Sequence, residues 1–163
     1  MGKIDMKNIE NQIKSTYHKA FFDLLEERVR SEPPDYEWIV RLYKEVRDKL
    51  MALLRKESEL RKEIEERMDI VIFDQMIRND AFDGADAFKL ICYVFDKCRQ
   101  LGSPARDKDT ENKKNEIVEL MNSGGVFATI LPLFIRNAHY CINHIYCDLR
   151  SLMAGAASAS GQL

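Results

Sequence analysis

The 163-residue sequence has no excess of charge of either sign, because 25 Lys and Arg stand against 27 Asp and Glu for a formal charge of -2. Without surplus positive charge there are few counterions to release from a phosphate backbone, so no nucleic-acid partner is expected. Long apolar runs are missing too. The longest, residues 124–135, falls short of the roughly 20 residues that cross a bilayer, so no transmembrane segment is expected. The opening MGKIDMKNIE lacks the apolar centre of a secretory signal, which points to a cytoplasmic, reducing location. The four cysteines, Cys92, Cys98, Cys141 and Cys147, are then expected to be free thiols serving as small core hydrophobes.

Proline and glycine are scarce, at four and seven, and they act as punctuation. Pro33-Pro34 turns a corner, because the residue before a proline is pushed out of the α region, and Asp35 is placed to N-cap the second helix. Gly102 ends a helix, and Ser103-Pro104 starts another, with a hydroxyl acceptor at the cap and proline where its missing N–H is not needed. Ser123-Gly124-Gly125 is the clearest internal break. Pro132 must either start a helix or kink one.

Between these marks the period is helical. Ile9, Ile13, Tyr17, Phe21, Leu24 and Leu25 draw an apolar stripe over residues 4–29. Trp38, Ile39, Leu42, Tyr43, Val46, Leu50, Leu53 and Leu54 draw a second. The run KESELRKEIEER is a solvated turn of helix held by pairs such as Glu59 with Lys62 or Glu63 with Arg67. Ile70, Val71, Phe73, Met76 and Ile77 form a short helix closed at Asn79-Asp80. Asp83 caps the next, on which Phe88, Ile91, Cys92, Phe95 and Cys98 share a side. After Pro104, ARDKDTENKKNE is polar all round, so that part of its helix is expected to project into solvent or touch a partner. A long apolar helix covers residues 126–153. No stretch alternates over a strand length, so the fold expected is all-α, a compact bundle of six or seven helices with no sheet. Residues 1–153 form one domain, and 154–163 read as a disordered tail or a remnant foreign to the fold.

Catalytic and metal chemistry finds little support. His139, Cys141, His144 and Cys147 have zinc-ligand side chains, but His139 points away from the other three, and Cys92 and Cys98 lack a CxxC knuckle. No glycine loop or elbow surrounds a thiol. Glu26-Glu27 and Glu65-Glu66 lie in charged helical runs, and His18 flanks the first stripe as a boundary histidine. Gly124-Gly125 follows a helix and lacks the Lys-Ser/Thr of a phosphate loop. Arg106 is the distinctive residue. Asp107 suits the positive end of a helix and Arg106 does not, so the arginine should have a partner, either an intramolecular carboxylate or another protein.

Three segments in order, FFDLLEERVRSEPPDYEWIVRLYKEVRDKLMALL, LRKEIEERMDIVIFDQMIRNDAFD and CRQLGSPARD, resemble the T-complex protein 11 family over residues 21–107. The double-proline corner leads to Glu45-Val46-Arg47-Asp48, an "ALD"-like turn is matched by Ala81-Phe82-Asp83, and a "CAPxRDE"-like motif by residues 103–107. Gly102-Ser103 stands where the family tends to have Cys-Ala, and Lys108 replaces an acidic residue. Only the helical pattern continues past Asn112.

The resemblance implies a helical, non-enzymatic protein associated with cyclic-AMP and protein kinase A signalling and with sperm function. It implies Pro104, Arg106 and Asp107 as the family motif and candidate partner contact, and a chain that is the amino-terminal part of the family architecture or a shortened relative. The expected function is thus a regulatory module that binds a protein partner, with no cofactor. Self-association as a homodimer would cover any exposed helix face. An enzyme with a site around His139, His144 or Arg106, or a metal-stabilised domain, are the alternatives.

Overall fold

The computed structural model describes residues 6–79 and 84–160, with backbone alone at Lys7 and 157–160. Seven α-helices account for most of the described residues: α1 Met6–Arg30, α2 Glu37–Ala52, α3 Glu59–Arg67, α4 Ile70–Arg78, α5 Gly84–Leu101, α6 Asp107–Asn122 and α7 Phe127–Ser160. A single 3-10 turn, Pro104–Arg106, joins α5 to α6, and there is no strand among the described residues. The fold is the all-α bundle expected.

Helix α7 is the axis of the bundle and packs against α1, α2, α5 and α6. Its apolar run has no charge to keep it at the surface, and Leu131, Phe134, Ile135, Ala138 and Ile142 are essentially inaccessible. The helix runs through Pro132 without a break and continues to Ser160. Residues 154–156 are helical and exposed, small residues with nothing to bury. Helix α2 buries Ile39, Tyr43, Val46 and Leu50 and contacts α3, α4, α5 and α7. Tyr43 stacks on Phe73 of α4 with ring centroids 3.8 Å apart.

Several local expectations are corrected. Tyr36, not Asp35, occupies the cap of α2, because its buried ring fixes the corner; the Asp35 carboxylate still accepts the Glu37 N–H at 3.0 Å. Helix α3 faces solvent over most of its charged residues, as expected, but more than charge pairs holds it. Ser58 caps it, the Arg61 guanidinium donates to the Leu54 carbonyl, and Ile64 is fully buried. The lone isoleucine in that charged run is its anchor. Asp69 caps α4 through the Ile72 N–H, and Asn79 closes it. Asp80, Ala81, Phe82 and Asp83, including the expected cap of α5 and the "ALD"-like turn, lie outside the described residues.

Glycine serves two different ends. Gly124 has φ +82° and Gly125 donates to the Leu120 carbonyl, which closes α6 in a Schellman turn. Gly102 instead permits close approach: a Cβ there would lie 2.9 Å from the Cys98 carbonyl oxygen and 3.3 Å from Ile145 of α7.

Candidate functional site

The Ser103–Asp107 corner is built as its sequence suggests. The Ser103 hydroxyl accepts the Ala105 N–H, exposed Pro104 opens the turn, and Asp107 begins α6 beside Asp109, where negative charge suits the helix N-terminus. Arg106 has its partner within the molecule. Its guanidinium makes a two-pronged bridge to Asp148 of α7, at 3.0 and 3.2 Å. That hydrogen-bonded pairing raises the Arg106 pKa and lowers that of Asp148, so both stay charged.

The bridge is one end of a polar seam between α6 and α7. The Tyr140 hydroxyl donates to Asp109 at 3.0 Å, and the Lys113 ammonium lies 4.5 Å from the centre of the Tyr140 ring. His144 meets that ring edge-on at 4.4 Å. Further along, Asn137 donates to the Lys113 carbonyl and to Glu116. Tyr140, His144 and Asp148 recur every four residues, which puts them on one side of α7. This corrects the expectation that early α6 projects into solvent or onto a partner. Its polar side chains dock on polar groups of α7, and Thr110 is buried.

The suspected zinc-ligand residues are dispersed. Cys98 and Cys141 are buried, and burial pushes the Cys98 thiol far up and the Cys141 thiol up to about 11. Cys92 is half-buried and Cys147 exposed, so only two of the four serve as core hydrophobes. His139 turns toward α2, with Nε2 3.1 Å from the Leu42 carbonyl, and burial lowers its pKa. His139, His144 and Arg106 thus do not converge. His18 lies at the surface with its ring edge-on to Phe22. Glu26 is committed to Arg30 and to the Thr129 hydroxyl of α7.

A cleft of about 280 Å³ opens beside α4 and α5, with Tyr43, Phe73 and Tyr93 in its lining and Glu66, Arg67, Asp69 and Lys89 among its charged residues. The Tyr93 hydroxyl is buried without a well-formed hydrogen bond, although the nearby Glu63 carboxylate adds to the burial that pushes its pKa to about 12.

The surface that sequence reasoning missed is on α1. Every described side chain from Met6 to Phe21 is exposed, and α1 enters the core only through Phe22, Leu25 and Val29. Ile9, Ile13, Tyr17 and Phe21 form an uncovered apolar face, continued by Leu24 and by Trp38 of α2, 6.3 Å from Phe21. Arg28 and Arg41 both flank the Trp38 ring, at 5.9 and 5.2 Å. Trp38, expected in the core stripe of α2, is therefore a surface residue. The signal lies in the spacing: steps of four overshoot a helical turn by about 40°, so the stripe, traced back from Phe21 to Ile9, winds away from the side that Phe22, Leu25 and Val29 bury.

Corner, seam and uncovered helix face define an all-α domain built on a central helix, with one amphipathic helix left partly unpartnered. A model of the T-complex protein 11 family matches residues 3–131, and the chain belongs to that family. The match extends beyond the segments that carry the sequence resemblance, on both sides. The chain is 29% identical to the human T-complex protein 11 homolog, covering 88% of this chain and 28% of that protein. It is 23% identical to mouse T-complex protein 11, covering 90% and 26%. With human T-complex protein 11-like X-linked protein 1 it shares 31% identity over 62% of this chain and 20% of that protein. The chain thus spans about a quarter of the length of the curated relatives it matches. No solved structure matches it.

Proposed function

We propose that this chain is a non-enzymatic, cytoplasmic interaction module whose contact surface is the α1 face continued by Trp38. The observation that carries the reading is that face itself, with Tyr17 76% exposed and Ile9, Ile13, Phe21, Leu24 and Trp38 all open to solvent. Large contiguous apolar surface marks a site of association, and aromatic anchors flanked by arginine are the side chains that dominate binding energies. The polar seam supports the same reading, since its charged groups are engaged with one another and the Arg106 fork is held by Asp148.

Membership of the T-complex protein 11 family directs the proposal to cyclic-AMP and protein kinase A signalling. The test is capture of purified protein kinase A subunits by the wild-type chain and by Phe21→Asp, with folding checked by thermal melting. Recovery by the wild type and its loss in Phe21→Asp is the expected result. No recovery by the wild type, or equal recovery by both, refutes it. Arg106→Ala in the same assay tests the family motif as a second contact, and unchanged recovery assigns that corner a structural role.

A further inference from the structure

We infer that α1 pairs with α1 of a second copy of this chain, antiparallel, about a two-fold axis at Tyr17. The inference rests on the reading of α1 as the contact surface and names its occupant in the absence of a kinase subunit, the two competing for the same face. From Met6 to Phe21 the helix buries no described side chain against its own molecule. A solitary helix of that length is marginal in water, so its order calls for a covering surface. Met6, Ile9, Ile13, Tyr17, Phe21, Leu24 and Trp38 together expose on the order of 700 Å² per copy, close to the roughly 800 Å² that each partner contributes to a standard interface.

The face is complementary to itself. Ile13 precedes Tyr17 by four residues and Phe21 follows it by four, with Ile9 and Leu24 a further turn or two out. A two-fold axis at Tyr17 sets Ile13 against the second copy's Phe21, as an isologous contact requires. Ala20, one turn along from Tyr17, leaves room beside the axis for the second tyrosine ring. The same register carries Ile9 to a notch of about 80 Å³ lined by Phe21, Leu24, Leu25, Arg28 and Trp38. That notch has the apolar walls and small size suited to one branched aliphatic side chain. Antiparallel pairing also opposes the two helix dipoles, whereas parallel pairing aligns them.

Sedimentation equilibrium of the full chain over the micromolar range should give twice the 19.0 kDa chain mass, and Tyr17→Asp, at an exposed position, should return it to the monomer with its thermal melting intact. In a Cys147→Ser background, Tyr17→Cys should form a disulfide-linked dimer on mild oxidation. Ile9→Cys alone should not, while Ile9→Cys with Leu24→Cys should. A wild-type monomer, a dimer indifferent to Tyr17→Asp, or linkage of Ile9→Cys as efficient as that of Tyr17→Cys each overturns the pairing. A monomer that still captures kinase subunits through Phe21 would overturn the pairing while sustaining the functional reading.

Discussion

At the scale of single residues, burial decides which groups can react. Cys98 and Cys141 sit in the core with thiols that burial keeps protonated, while Cys147 is exposed and Cys92 half-covered. An alkylating reagent at neutral pH should therefore label Cys147 first and Cys92 more slowly, with Cys98 and Cys141 reacting only on unfolding, as peptide mass mapping would show. His139 provides a pH signature. Burial lowers its folded pKa from the ordinary value of 6.5, opposed by the Leu42 carbonyl, while Glu45 and Lys49 of α2 and His18 of α1 also act on it. The unfolded chain takes up a proton near 6.5 that the folded protein refuses, so this residue lowers stability as pH falls through 6.5. Its effect levels off below the folded pKa. Melting temperatures between about pH 5 and 8 should show a shallower acid-side decline in His139→Gln than in the wild type.

At the scale of elements, the joints matter most. Gly124 holds a left-handed conformation that costs an L-residue about 1–2 kcal/mol, so Gly124→Ala should lower unfolding free energy by about that amount in a denaturant titration. Gly125→Ala adds a clash, because a Cβ there would meet the Leu120 carbonyl oxygen and side chain at 2.7 Å; a further loss of roughly 1–3 kcal/mol is expected. The Arg106–Asp148 bridge ties the start of α6 to the later part of α7. In Arg106→Ala, amide exchange should rise in α7 around residue 148 and in the 103–107 corner while α2 stays protected, because the bridge is a local tie at the surface.

At the scale of the whole molecule, α7 links the other helices. Phe134, fully buried and edge-on to Phe95 of α5, belongs to no single pair of elements. Phe134→Ala should cost about 3–5 kcal/mol, a large part of the roughly 5–15 kcal/mol that stabilises a typical domain. Its melting transition should shift as one unit when followed by both helical and aromatic circular dichroism. Persistence of a native-like aromatic signal at the wild-type midpoint would argue against α7 as the common axis.

Periodicity and punctuation carried the helical class, the breaks at Pro33-Pro34, Gly102-Ser103-Pro104 and Gly124-Gly125, and the demand of Arg106 for a partner, because each is written in residues close together in the chain. Family membership was legible in the same way, from ordered motifs. The identity of that partner was not, since Asp148 lies 42 residues away and nothing local marks one aspartate among many. Nor was the fate of two helices. Ile64 is one isoleucine among charges, yet the bundle closes over it, while the apolar stripe of α1 stays outside because, traced back from Phe21 to Ile9, its four-residue steps wind off the side that meets α7. Local sequence sets which residues share a helix face. Which faces are covered depends on how distant helices meet, and only the tertiary structure decided that.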